Sequence, residues 1–477
     1  LKILTDLTPT PANRDIIYNS LDTMQTMALK EIFDAGLLPP WAQHTFAYSE
    51  KMLGPILTMM RRGTLIDATE KELCIRAFRA RLQKVQTTFD TICESLFGTV
   101  INVNSPIQLK ELFYSFIGIP EQTKSKKGEV KVGTDREILE RIASSYPRGA
   151  VFANLILRLR DLEKQIEFLS KKLTADGRFV TSYNIAGTET FRLSSSEHPL
   201  RLGSNQQNIP GAARKAFISD PGYTFFQADQ QGAEARIVAY TSGDENYIAA
   251  CEGGDSHTMV AAMVFGFEPI RALAERNYYR TYSYRDLTKK GAHGSNYYGK
   301  PYTIAKNMQV ETAIAERFQF EYFKKFPGIS EWHLWVAKQL REKGYLENVF
   351  GFRRTFWGRK WDDATLREAI AFGPQSAVGV LTNLALHRLW EKYEGKPGAP
   401  VQILMNGHDA VIGQIRTDLV EELVPQLLED MRFPFDIADI HGKVRTVVIP
   451  FDMELGMNWG KVSDDNPNGL KKWKPKV

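Results

Sequence analysis

Two aspartates stand where apolar runs stop. Asp229 ends "YTFFQAD" (Tyr223–Asp229), and Asp409 sits in "LMNGHDAVIG" (Leu404–Gly413), beside an Asn-Gly pair that reads as a tight turn. Such runs read as buried strands, so each carboxylate is expected at a sheet edge, facing a cleft, on rigid backbone. Two acids brought together there repel unless divalent cations bridge them. A few carboxylates plus substrate phosphates are the ligands Mg²⁺ accepts. Two such ions about 4 Å apart stabilise both the attacking and the leaving oxygen of an in-line phosphoryl displacement. An acid after a strand is also a common helix cap or turn residue, so the pair alone leaves both readings open. A third stretch, "YRDLTKKGAHGSNYYG" (Tyr284–Gly299), places Arg285, Lys289, His293 and Tyr297 at steps of four. On a helix these positions drift by only about 40° per step and share one face. Cation, cation, imidazole and phenol do not make a core stripe. They suit a triphosphate along the first half and a base stacking near the second. The small residues Gly291, Gly294 and Ser295 are expected to let that ligand come close.

These side chains need a sheet and helices to hold them. "VQILMNGHDAVIGQI" (Val401–Ile415) reads as strand, turn, strand, and "GAEARIVAYTSG" after Asp229 as a helix. "GRFVTSYNIAG" alternates like a strand. The block from about 48 to 175 is helical in period, with long helices over "IRAFRARLQKVQTTFDTICESLF" and "VFANLILRLRDLEKQIEFLSKKL". Between them, "GEVKVG" reads as an exposed basic loop, followed by a helix with Asp135 near its start. Residues 255–340 are helical again. The chain is ordinary in composition for a globular protein, and its 477 residues predict several subdomains. No window is read as long and apolar enough to span a bilayer, and no secretory segment opens the chain. Cys74, Cys93 and Cys251 are scattered, with neither a disulfide framework nor a zinc spacing. That pattern favours a reducing compartment. Net charge is only +5. The basic runs "TKSKKGEVK", "RRTFWGRKW" and "LKKWKPKV" put a nucleic-acid partner level with a merely solvated face.

In their order the motifs resemble those of the family A DNA polymerases, and more closely the phage-type branch. "DQQGAEAR" (Asp229–Arg236) is similar to motif A, "RDLTKKGAHGSNYYG" to motif B and "GHDA" to motif C. "TFRLSSSEHPLRLGSNQQNIP", "DSHT", "GYLENVFGFRR" and "REAIAFGPQSA" resemble the segments between them. The resemblance covers most of the chain. It implies an α+β right-hand architecture: a helical thumb, an antiparallel-sheet palm and helical fingers. It also implies the C-terminal end of a 3′–5′ exonuclease domain at the N-terminus. The divisions expected are 1–45 for that remnant and 46–180 for the thumb. The palm is expected at 181–250 (motif A) and 341–477 (motif C), with the fingers at 251–340 (motif B) between them.

The same resemblance implies roles. Asp229 and Asp409 hold two Mg²⁺ ions, for which Mn²⁺ can substitute. Arg285, Lys289 and His257 neutralise the triphosphate, and Lys289 is also the proton donor to pyrophosphate. His293 lies where relatives carry Phe or Tyr, and Tyr297 stacks at the templating site. Glu234 is the gate that leaves no room for a 2′-hydroxyl, and Gln231 is placed with the nucleotide-binding set. Arg192, Asn205, Gln207, Asn208, Arg367, Gln375 and His408 line the primer–template minor groove, whose degenerate pattern reports pair geometry. The partners implied are primer–template DNA and deoxynucleoside triphosphates, with no membrane, for a monomer in the cytoplasm of a phage-infected bacterial cell.

The departures are specific. Gln231 and Gly232 replace the usual Ser-Gln of motif A. "NYYGK" admits a register shifted by one, in which Lys290, Gly294 and Tyr298 take the roles of Lys289, His293 and Tyr297. Ala410 stands where relatives most often carry Glu. Tyr18 and Asp22 in "YNSLD" have the spacing of the last exonuclease motif, and the other carboxylates of that site are expected upstream of Leu1.

Overall fold

In the computed structural model, residues 14–36, 38–126, 129–279, 282–308, 310–395 and 398–475 are described. The elements that position the site are, in chain order, α1 (Arg14–Asp34), α2 (Pro40–Arg62), α3 (Ala68–Phe97), α4 (Arg136–Ser145), α5 (Pro147–Leu169), β1 (Tyr223–Gln230), α6 (Ala233–Ser242), α7 (Ser256–Phe265), α8 (Tyr284–Asn296), α9 (Thr312–Lys325), α10 (Pro327–Lys343), α11 (Asp363–Leu389), β2 (Val401–Asn406), β3 (Ala410–Arg416), β4 (Phe451–Gly456) and β5 (Lys471–Lys472). The strands form one antiparallel sheet in the order β2-β3-β1-β4-β5.

The apolar run of β1 is continuous because both faces of the sheet are covered. Phe226 and Ala228 point into a core shared with Tyr48 and Met52 of α2 and Leu386 and Leu389 of α11. Phe225 points the other way, against Phe217, Ala410, Ile412, Phe78 and Leu162. Phe225 and Phe226 are both fully buried, each contributing roughly 1.5–3 kcal/mol by burial. Toward its C-terminal end the strand runs out of cover on the Phe225 face, and there Asp229 stands.

The helical arm has a core of its own, with Phe89, Phe113, Ile138, Phe152 and Leu159 buried together. Its helices start where the sequence supplies caps: Asp67 accepts from the Glu70 amide (3.0 Å) and Asp135 from the Ile138 amide (3.2 Å). A second helical lobe buries Leu287 of α8 with Phe318, Tyr322 and Trp332.

Several expectations are corrected. "GRFVTSYNIAG" is not one strand. Arg178–Phe179 pairs with Thr64–Leu65, whereas Ser182–Asn184 pairs with Ser194–Ser196. The expected basic loop around "GEVKVG" is a hairpin, Thr123–Lys126 with Glu129–Val132. The divisions at 45/46, 250/251 and 340/341 all fall inside helices. The first falls inside α2, which packs against the sheet and not in the arm: Asn383 of α11 donates to the Tyr48 hydroxyl at 2.7 Å. Gly291, Gly294 and Ser295 do not open a ligand path. A Cβ at Gly291 would lie 2.5 Å from Phe318, one at Gly294 would lie 2.7 Å from Ile304, and buried Ser295 accepts from Gln319. Their small size lets α8 pack on α9 and on the short helix Pro301–Met308.

One helix, Asp363–Glu394, does reach the length and hydropathy of a membrane span, contrary to the reading of the sequence. It is the central core helix, with 78% of its apolar window buried inside the protein. The three cysteines are buried and free.

Candidate active site at the sheet edge

Strand pairing brings the two acids together. Asp229 has Ala410 opposite it on one side and Asp452 on the other, so all three side chains project from one face. Gln230 projects from the other face, where its amide donates to Val378 (3.2 Å) and Thr382 (2.7 Å) of α11. Asp409 precedes Ala410 at the turn, and its carbonyl accepts from the Gln230 amide at 3.3 Å. The turn is braced from below. Asn406 receives Gln207 (3.2 Å), donates to Asn383 (3.2 Å) and accepts from the His408 amide (3.0 Å). The sequence places the turn's conformational freedom at Asn-Gly. In the structure it is His408 that takes the left-handed conformation, at φ 73°, an uncommon state for a non-glycine residue. That backbone twist holds Asp409 on the cleft side.

Burial pushes the Asp229 carboxyl up to about 6. The Gln227 amide (2.7 Å) opposes the shift, and the neighbouring charges of Asp409 and Glu454 add to it. A partly buried acid raised by a like-charged neighbour is a site that a divalent cation relieves. The donors fit Mg²⁺: two carboxylates, with room for phosphate and water ligands. Among the described residues no group of three or more His, Cys, Asp or Glu side chains forms a metal cluster, and Ala410 supplies no third carboxylate. In the metal-free protein Asp229 favours folding fully below its unfolded value of 3.8, and this contribution is lost as pH rises through about 6. Asp229→Asn is therefore expected to raise the melting temperature by a few degrees at pH 7, with no gain below pH 4. Mg²⁺ should stabilise the parent and not the variant. Thermal scans across pH, with and without Mg²⁺, check both; equal Mg²⁺ stabilisation of the two proteins would remove Asp229 from the cation site.

The opposite wall is α8, capped by Ser283, which accepts from the Asp286 amide (3.0 Å). A cleft of about 560 Å³ is lined by Asp409 and Glu234 from the sheet side and by His257, Lys289, His293 and Tyr297 from the helical lobe. Lys290 also reaches it, but its ammonium is held by the Tyr282 hydroxyl at 3.0 Å. Gly294 faces Ile304, and Tyr298 packs edge-on against buried His333. Of the two registers, it is thus Lys289, His293 and Tyr297 that share the cleft.

Arg285 is committed elsewhere in this state. It grips Asp255 at 2.8 and 3.1 Å. Burial raises the Asp255 carboxyl, but the guanidinium outweighs it and holds the group down at about 2. Burial, with Arg285 and Lys289 nearby, lowers His257 to about 4. Its imidazole is therefore neutral near pH 7 and offers a hydrogen bond, not the positive charge expected from the sequence.

Glu234 is the hub of the cleft. Arg192 donates to one of its oxygens at 2.6 Å and the Tyr297 phenol to the other at 2.5 Å, and His293 lies 3.8 Å away. Arg192, expected along the primer–template groove, is here turned to this carboxylate. Gln231, expected at the nucleotide, points away and donates to Asp452. Asn205 accepts from Ser195 (2.5 Å), and Gln207 reaches the Asp409 turn through Asn406. Asn208 is exposed, and Arg367 and Gln375 are partly exposed along α11. His408 has a buried ring nitrogen without a protein partner among the described residues, and burial with nearby Arg192 lowers its pKa. Tyr18 and Asp22 lie on α1, but their side chains fall outside the described part. Two residues of this site escaped the sequence reading. Asp255 carried a signal, standing two before His257. Asp452 carried only strand alternation, which does not give register.

Comparison with known proteins points to the same family. The model of DNA polymerase family A matches residues 72–461. DNA polymerase I of Chloroflexus aurantiacus is 28% identical over 477 residues, covering 95% of this chain and 47% of that protein. Thermostable DNA polymerase I of Thermus aquaticus is 28% identical over 430 residues, covering 86% and 47%. The chain spans about half the length of the curated relatives it matches. Among solved structures, the POL domain of Pol1 from M. smegmatis, in complex with DNA primer-template and dNTP, aligns with a TM-score of 0.70 at 24% identity. The alignment covers 86% of this chain and 70% of that one, a likeness of fold.

Proposed function

The chain belongs to DNA polymerase family A, and from that premise we propose that it adds deoxynucleotides to a primer 3′-end as a template directs, releasing pyrophosphate. The observation that carries the reading is the strand register. It pairs Ala410 with Asp229, so that Asp229 feels the charge of Asp409, and Asp409 in turn lines a cleft whose far wall presents Lys289 and His257. Asp229 and Asp409 would hold two Mg²⁺ ions, or Mn²⁺ in their place. Bound there, the ions supply Lewis-acid charge to the attacking and leaving oxygens.

The chain's own residues do the rest. Lys289 neutralises the triphosphate and protonates the departing pyrophosphate. His257 donates a hydrogen bond to it and takes up a proton as phosphate charge arrives. Arg285 reaches the triphosphate by exchanging Asp255 for a phosphate oxygen. Tyr297 and His293 pack against the base and sugar, and Glu234 closes the space at the 2′ position. Gln207, Asn205, Asn208, Arg367, Gln375 and His408 follow the primer–template minor groove, with Arg192 beside them while it holds Glu234. The 3′–5′ exonuclease reading of Tyr18 and Asp22 stays with the resemblance alone.

The relatives named above are bacterial. The phage-type branch rests on His293 in motif B, and it carries with it a replicative role and the cytoplasm of an infected cell; the monomer follows from the family resemblance. Gly232, at φ 56°, has only Ser256 within 4 Å of a notional Cβ. That leaves the cleft wall open where nucleotide selectivity is set. Primer extension on a defined template, with each deoxynucleotide offered singly and then with base analogues, tests the proposal. Addition of the complementary nucleotide alone is expected. Binding of primer–template without addition in Mg²⁺ would make this a gripping protein and not an enzyme.

A further inference from the structure

The segment joining the Tyr345–Glu347/Arg353–Thr355 hairpin to α11 is firmly anchored and yet displays two indoles. Phe356 is buried against Phe372, and Arg354 lies over its ring while pairing with Glu189 and Glu368. One residue on, Trp357 is 92% exposed, and Trp361 is 78% exposed. Tryptophan carries a large apolar surface that folding normally covers, so two bare indoles four residues apart on a fixed segment call for an occupant. The charge within the segment has one sign, and the acids beside it are held in pairs, Glu347 by Arg353 and Glu189 and Glu368 by Arg354. From 353 to 361 the sequence holds Arg353, Arg354, Arg359 and Lys360 and no acid, and Arg341 faces the Trp361 ring at 5.2 Å. The acids that follow are already engaged: Asp362 caps α11 through the Ala364 amide (3.0 Å), and Asp363 pairs with Lys300 (3.3 Å).

The segment's position is fixed from both ends. Lys300, tied to Asp363, lies over Tyr298, the neighbour of cleft-lining Tyr297. Glu189, paired with Arg354, stands three residues before Arg192, the partner of Glu234. The indoles therefore stand off the rim of the cleft at its Tyr297 end.

We propose that Trp357 and Trp361 form a stacking platform for unpaired template bases about to enter the cleft, with Arg359, Lys360 and Arg341 taking the phosphates. The direction of the strand rests on the polymerase reading above; the single-stranded ligand does not. Every base offers a π-face, so stacking on indoles holds any sequence, as a template channel requires. Phosphate neutralisation adds a salt-dependent part.

The test compares the parent with W357A/W361A and W357F/W361F, all changed only at exposed positions. Binding of a labelled oligothymidine and of a blunt duplex is read by anisotropy, and extension is read on templates with short and long overhangs. The alanine pair is expected to lose about tenfold or more in oligothymidine affinity and nothing on the duplex, while the phenylalanine pair keeps most of it. Extension should weaken only on the long overhang, through KM. Equal oligothymidine binding by all three proteins, or an equal loss on the duplex, overturns the platform and leaves a protein partner as the occupant. A parent that extends no primer would overturn the polymerase reading separately, since the oligothymidine result does not depend on it.

Discussion

Asp409→Ala is expected to reduce nucleotide addition by at least about a thousandfold, the upper range for losing one electrostatic stabiliser, while primer–template affinity stays within a few-fold. The asymmetry follows from how the residue is held. The Asp409 main chain belongs to the hairpin, through its carbonyl to Gln230 and its amide to Gly407. Both bonds survive truncation of the side chain. The carboxylate itself is free to serve a cation. The neighbouring groups are poor substitutes: Ala410 is apolar, Asp452, on the same face as Asp229, is engaged by Gln231 and by Lys472 at 2.9 Å, and Glu454 lies one step farther along β4, opposite Gln227. Single-turnover extension in Mg²⁺, beside a gel-shift titration, separates the two effects. Extension by Asp409→Ala near the parent's rate would remove this carboxylate from the chemistry and reopen the question of what replaces the usual Glu at 410.

What the sequence could and could not carry divides along physical lines. Local periodicities were legible. Steps of four predicted that Arg285, Lys289, His293 and Tyr297 share a face, and the apolar run before Asp229 predicted a buried strand ending in an acid. Relations between distant segments were not. Register alone sets Ala410 and Asp452 beside Asp229, and no property of any one strand encodes it. Small residues were misread for the same reason. Gly291 and Gly294 look like space left for a ligand until Phe318 and Ile304, from other helices, are seen filling it. Charged residues expected at a substrate also have partners within the chain that no local pattern shows: Arg285 with Asp255, Arg192 with Glu234. Composition also does not say which core a helix will join: the helix that spans 45/46, α2, joins the sheet through Tyr48 and Met52.

Those internal pairs make Glu234 the most informative residue for selectivity. In the free protein Arg192 and Tyr297 hold both of its oxygens. The phenol remains protonated, because burial and the adjacent carboxylate raise it well above its ordinary value, so it donates reliably. A carboxylate fixed from two sides cannot swing aside for a 2′-hydroxyl. Rejection of a ribonucleotide is then steric. Glu234→Ala removes the bulk that fills the 2′ position and is expected to lower the deoxy-over-ribo preference by roughly ten- to a hundredfold, with a smaller loss on deoxynucleotides because Arg192 and Tyr297 are left unpaired. Glu234→Gln keeps the volume but weakens the grip of Arg192, and should retain most of the preference. Competitive incorporation of ribo- and deoxynucleotides on one template measures the ratio directly. An unchanged ratio in the alanine variant would mean that the sugar is read elsewhere, and the Arg192–Glu234–Tyr297 cluster would then stand as a latch between sheet and fingers helix.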